Sequence, residues 1–190
     1  MVKNRRLSAL LFGCGIFLTA CASTPAAHQT VWLTDTVRVP LWLPSALAAT
    51  LEQTAQIEGH YGQQTYRFVT LTKADAQRVE MVFLNDFGTE VFSLSWDGQA
   101  VVTSSSFALP GLKAEYLIMD WQLVFLPVPV IADRLAPYGL SFSAQTQAGR
   151  TERDLNQGSR LLVKIVTENG LISYDNLLRG YGYTIRRQAE

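Results

Sequence analysis

The sequence predicts a mainly β, α+β protein: one antiparallel sheet interrupted by a helical insertion. Three observations predict it. First, Phe92, Leu94 and Trp96 alternate with Ser93, Ser95 and Asp97, the two-residue period of a strand with one face on a core and one in water. Second, turn signals separate strand-length segments at Gly62, Asn85-Asp86-Phe87-Gly88 and Asp97-Gly98, and Asp-Gly between alternating segments is a strong hairpin signal. Third, residues 111–125 switch to helical spacing between two runs of strands. Strands, then helices, then strands, without βαβ alternation, give this class rather than a parallel sheet.

Residues 31–43 read as an opening strand broken by Pro40 and Pro44, with a short helix near 45–51. Strands are expected at 53–61, 65–71, 78–84, 90–96 and 99–107. Val79, Met81 and Phe83 repeat the alternation, and Glu90 falls in phase with Phe92 and Trp96. In the helical segment Leu112, Tyr116, Met119 and Leu123 share one face, with Leu117, Trp121 and Val124 beside them. A helix apolar over most of its circumference must be buried on more than one side. Pro127 and Pro129 end it, a strand over 123–126 is an alternative, and 130–136 offers another helical turn before Pro137. Strands resume at 140–146, 161–167, 171–174 and 181–187, with the charged run 150–154 expected as a solvated hairpin tip.

The N-terminus carries Lys3, Arg5 and Arg6, then an uncharged apolar run over 7–19. That is the layout of a signal peptide, too short to span a bilayer comfortably. Its ending, Leu18-Thr19-Ala20-Cys21, resembles the lipobox of bacterial lipoproteins. The resemblance implies cleavage before Cys21, diacylation of its thiol and acylation of the new amine. The expected organisation is therefore a signal peptide over 1–20, a lipidated tether over 21–30 and a single domain over 31–190. Three acyl chains would hold the protein to a membrane it does not span. Ala22 replaces the Asp that resembles an inner-membrane retention signal, which implies the outer membrane of a Gram-negative cell, facing the periplasm.

After loss of Cys14 and lipidation of Cys21 no thiol remains for a disulfide, so the core alone must hold the domain. From Cys21 onward there are 13 basic and 16 acidic groups, about −3. That balance does not suggest a nucleic-acid partner. The most apolar later stretch, 117–131, is interrupted by Asp120, Gln122, Pro127 and Pro129, so no second membrane span is expected.

Catalytic patterns are missing. His28 and His60 have no zinc-type spacing, and no metal or other cofactor is expected. Ser104, Ser105 and Ser106 lack a nucleophile elbow and read as a polar strand face and exit turn. Glu90 invites an acid role beside an apolar cavity, but a strand-end carboxylate in solvent explains it as well. The glycines of Gly180-Tyr181-Gly182-Tyr183 mark a bulge or close strand approach. The positive signal is an aromatic sheet face beneath an over-hydrophobic helix. Such a pair either encloses an apolar ligand or completes a dry core, and the pattern leaves both open. The candidate cavity residues are Phe92, Leu94 and Trp96 from the sheet, then Tyr116, Leu117, Met119, Trp121 and Leu123 from the insertion. Tyr181, Tyr183 and Ile185 join them from the last strand.

Three segments carry a wider resemblance: 79–84 through Gly88-Thr89-Glu90 to Gly98, 109–127 around Asp120-Trp121-Gln122, and Ile172-x-Tyr174-Asp175-Asn176 through Tyr181-x-Tyr183-x-Ile185. Together they resemble an uncharacterised family of bacterial lipoproteins, a domain of unknown function often encoded beside aryl-polyene and fatty-acid-like pathways. That family is similar to the LolA/LolB lipoprotein carriers and receptors. The similarity implies an open antiparallel half-barrel with a helical lid over an apolar cavity. Where LolB-type chains have Pro-Val-x-x-Leu-x-x-Trp-Leu-x-Gly, this chain has Pro129-Val130, Leu135 and then Pro137-Tyr138-Gly139, without the Trp-Leu pair.

The expected function is binding or transfer of an acyl, lipid, polyene or lipoprotein-acyl ligand at the outer membrane, with a periplasmic carrier protein as partner. The alternatives are a structural or assembly lipoprotein with a filled core and a protein partner, and, third, an acyl hydrolase. The sequence shows no nucleophile–base pair for the last, so the expectation is a protein that is not an enzyme.

Overall fold

A computed structural model describes residues 29–104 and 113–188. The signal segment, Cys21, His28, Ser105, Ser106 and the expected start of the helix lie outside the described residues.

A hairpin of β1 (Thr30–Trp32) and β2 (Arg38–Pro40) comes first, so Thr30, assigned above to the tether, is already structured. A 3₁₀ turn covers Pro44–Ala46. Five strands then run as a meander: β3 (Leu51–Tyr61), β4 (Gln64–Ala74), β5 (Val79–Leu84), β6 (Glu90–Trp96) and β7 (Val101–Ser104). The insertion holds α1 (Ala114–Phe125), α2 (Val128–Leu135) and a 3₁₀ turn over Ala136–Tyr138. A second meander follows: β8 (Leu140–Gln147), β9 (Arg150–Gln157), β10 (Arg160–Glu168), β11 (Leu171–Asn176) and β12 (Tyr181–Arg187).

The two meanders join where β3 pairs with β12. The result is one antiparallel sheet of ten strands, ordered β7-β6-β5-β4-β3-β12-β11-β10-β9-β8. Its edges, β7 and β8, do not pair with each other, so the sheet is open. This topology dictates where the insertion goes. The chain leaves one edge at β7 and must re-enter at the opposite edge, β8, so it has to cross a face of the sheet. That crossing buries α1. Ile118 to Val124 are all buried, including Asp120 and Gln122, which is the multi-sided burial its composition demands.

Inward residues recur at every second position. Val79, Met81 and Phe83 on β5 face the same way as Phe92, Leu94 and Trp96 on β6. Ile172 and Tyr174 on β11 and Tyr181 and Ile185 on β12 continue the layer.

The structure differs from the sequence expectation at four places. The charged run 150–154 is no hairpin tip: it opens β9, paired to β8 and β10 on both sides. Ladder hydrogen bonds need no apolar side chain, and the charges are used. Glu152 bridges Arg150 and Lys164 at 2.6 and 2.8 Å on one face, while Arg153 turns inward. The turn itself falls at Ala148-Gly149, both with positive φ, as a two-residue hairpin requires. The helix near 45–51 shrinks to one 3₁₀ turn, because Leu51 already pairs with Ala74. Residues 123–125 are helical rather than extended. Finally, Glu90 is not on the inward face. The β5–β6 register shifts between Phe83/Phe92 and Leu84/Glu90, leaving Val91 as the extra residue. A bulge of this kind flips the residue beyond it, so Glu90 faces outward and is exposed.

Candidate binding slot beneath the helix

α1 is attached to the rest of the fold on three sides. Toward β11 and β12, the Asp120 carboxylate accepts hydrogen bonds from the hydroxyls of Tyr174 and Tyr181, the latter at 2.7 Å. Asn176 Nδ2 donates to the Tyr181 oxygen at 3.2 Å. Burial raises the Asp120 carboxyl to about 7, against the downward pull of the two hydroxyls and of Arg179. Burial beside that carboxyl holds Tyr174 and Tyr181 far above the ordinary phenol range. Toward the N-terminal segment, Gln122 forms a paired contact with the Trp42 backbone, accepting from its N–H at 3.1 Å and donating to its carbonyl at 2.6 Å. At its C-terminus, Arg153 Nη1 donates to the carbonyls of Leu123, Val124 and Leu126 at 2.8 to 3.2 Å. Those carbonyls have no partner within the helix, and a cation is favoured there.

The fourth side of α1 is looser. Leu117, Trp121 and Phe125, four residues apart, face β3–β6 and β12 across an apolar slot. Its walls are aromatic. Phe68 meets Phe83 and Phe92 edge-on at 5.9 and 5.7 Å, and those two stack at 4.2 Å. Tyr183 stacks on Tyr174 at 4.7 Å. Gly59 pairs with Tyr183 on one side and Tyr66 on the other, so bare backbone lies between two inward rings and lets β12 approach closely: a β-carbon there would stand 3.1 Å from that of Tyr183. The lining runs along β3 from Gln53 to Tyr61, roughly 27 Å of strand at the usual rise per residue. The slot is narrow, with a cavity volume of about 90 Å³. Ile57, Tyr61, Phe68, Leu117 and Tyr183 are half-buried and form its rim, whereas Met81, Phe83, Phe92 and Trp121 are buried. Among the described residues no Asp, Glu, Lys or Arg lines it.

Of the residues nominated from sequence, Phe92, Leu117, Trp121, Tyr181, Tyr183 and Ile185 line this slot. The other five do not. Leu94, Trp96, Met119 and Leu123 are buried core, and the Trp96 indole donates to the Trp42 carbonyl at 2.8 Å. Tyr116 packs under Arg179, whose guanidinium carbon is 4.4 Å from the ring centroid. Sequence reasoning missed Gln53, Ile57, Gly59 and Phe68, which lie on the loosely patterned β3 and β4. Their signal was the inward period of β4, Tyr66-Phe68-Thr70-Thr72, which two threonines conceal.

Among the described residues no catalytic constellation assembles. Ser104 Oγ donates to Glu90 at 2.9 Å and meets Ser93 Oγ at 2.6 Å on the exposed face, while His60 sits on β3 at the slot's rim. Among the described residues no group of three His, Cys, Asp or Glu side chains is placed to hold a metal, and no helix is long and apolar enough to cross a membrane.

Fold and site together define an open antiparallel β protein with an aromatic slot beneath a cross-sheet helix. The chain belongs to the DUF3261 family, proteins of unknown function, whose profile matches residues 52–189. That span takes in β3 to β12, hence the entire ten-stranded sheet and its insertion. No curated protein matches the sequence.

Proposed function

We propose that this protein is an outer-membrane lipoprotein of LolA/LolB-like design that holds or passes on an acyl-type chain in the slot beneath α1. The observation that carries the reading is the lining: aromatic and aliphatic side chains from five strands and a helix, with no ionised carboxylate, amine or guanidinium. An uncharged aromatic lining with contributions from both ends of β3 suits a hydrocarbon chain better than a polar ligand. Each buried methylene contributes about 0.8 kcal/mol, so a chain lying along β3 is held without any polar contact. The lipobox-like Cys21 supplies the anchor and Ala22 the periplasmic orientation. α1 is tied on three sides, so loading is by threading past the half-buried rim at Tyr61, Phe68 and Tyr183 rather than by swinging the helix away.

Native mass spectrometry of the full-length protein, followed by organic extraction, tests this. A co-purifying acyl chain, phospholipid or polyene is expected, and Phe68→Ala with Trp121→Ala should lower its occupancy several-fold. A clean apo mass that added fatty acid does not change would make the slot an incidental gap in a filled core and favour an assembly lipoprotein with a protein partner.

A further inference from the structure

Two buried polar atoms in the slot have no hydrogen-bond partner: the Trp121 indole nitrogen and the Gln53 side-chain oxygen. We propose that the slot selects a hydrocarbon chain bearing an uncharged oxygen group that both donates and accepts a hydrogen bond, foremost a hydroxyl, held between Trp121 Nε1–H and the Gln53 amide. This inference rests on the reading of the slot as a binding site.

Trp121 is 6% exposed, so water does not satisfy its N–H from bulk solvent. Buried polar groups are almost always paired, and a site that leaves one unpaired is built for a partner. Indole is a donor only and needs an acceptor, whereas the Gln53 oxygen needs a donor. A hydroxyl is both. It also fits if the amide is turned over, because it can then accept from the Gln53 nitrogen. Thr70 does not compete for the role, because its Oγ1 is committed to the Ala55 carbonyl at 3.2 Å. Gln53 pairs with Thr72 and Thr72 with Met81, so the amide sits at the Met81 end of the slot. The oxygen group therefore lies at the end of the slot away from Tyr61, where the Gln53 oxygen is buried. An ionised carboxylate or phosphate is disfavoured there, because no cation lines the slot and an unpaired buried charge is costly. A plain hydrocarbon leaves both polar atoms unpaired.

The full-length protein, in mild detergent, is equilibrated with an equimolar mixture of dodecane, dodecyl methyl ether and dodecan-1-ol. It is then desalted, and the retained chains are quantified against a protein-free micelle blank. The alkane can neither donate nor accept, the ether can only accept, and the alcohol does both. Dodecanol is expected to be retained about fivefold to tenfold over the others, the ratio one or two net hydrogen bonds provide. Two variants keep bulk and remove polarity: Gln53→Leu leaves only the indole donor and should bring the alcohol level with the ether, and Trp121→Phe leaves only the amide and should cut the preference to what one hydrogen bond provides. If Trp121→Phe does not fold, Gln53→Leu carries the comparison alone. Equal retention of all three by the wild type overturns the proposal and leaves the slot a plain hydrocarbon site in which water satisfies both atoms. Retention of none overturns the proposal together with the binding function on which it rests.

Discussion

At the scale of single residues, the glycines and the buried polar side chains separate positions that sequence treats alike. Gly182 lies where β11, β12 and β3 approach most closely. A β-carbon there would stand 2.8 Å from the Tyr174 carbonyl oxygen and 2.7 Å from Asp175 Oδ1. Backbone oxygen cannot step aside, so Gly182→Ala should lower stability by about 1–3 kcal/mol, read as a shift of the urea midpoint. An unchanged midpoint would show that the β11–β12 ladder opens freely at this point. The four tryptophans also part company. Trp96 and Trp42 are core and Trp32 is partly exposed; Trp121 alone lines the slot. Trp96→Ala is therefore expected to cost about 3–5 kcal/mol as a cavity-forming change, whereas Trp121→Phe, which keeps a ring against Phe125, should cost less and act on ligand retention.

At the scale of elements, α1 is the piece whose attachment decides the slot's shape, and one of its attachments titrates. The Asp120 carboxyl is raised from 3.8 to about 7 by burial, with Tyr174, Tyr181 and Arg179 opposing. The folded state therefore binds more protons than the unfolded chain between those values. The associated stability is complete below pH 3.8 and is lost as pH rises to about 7, by roughly 4 kcal/mol in all. Asp120→Asn removes this dependence. Urea titrations at several pH values between acid and neutral should show the wild type losing stability with rising pH relative to the variant. Parallel curves would mean that water reaches the carboxylate. The same element explains Arg153. A strand that looks solvated from its charges sends one guanidinium inward to close the helix C-terminus, and loss of that contact loosens the end of α1 that carries Phe125.

At the scale of the whole molecule, the sheet's edge-to-edge connection and the proposed anchor act together. The insertion has to cross the sheet, so the helix and the slot beneath it are consequences of the topology. If Cys21 carries the lipid, Cys21→Ser should move the protein from the membrane pellet to the soluble periplasmic fraction, with its folding and ligand retention intact. Continued sedimentation with membranes would place the attachment elsewhere than at this thiol.

Sequence alone determined the class, most of the strand segments and the helical insertion between them. Those depend on local period, on turn residues and on where the period changes, all readable within a few neighbours. It also separated Phe92, Leu117, Trp121, Tyr181, Tyr183 and Ile185 from the polar face, because inward residues are large and apolar whichever part of the interior they reach. Tertiary structure decided which inward residues form core and which form slot. That depends on what stands opposite: Trp96 meets Trp42, whereas Phe92 stacks on Phe83 and meets Phe68 in the wall of the slot. Tertiary structure also decided that β9 is a strand and that Glu90 faces outward, since one rests on neighbours on both sides and the other on a one-residue register shift. Periodicity reports the face of a strand, and only the register and the opposing element report what that face touches.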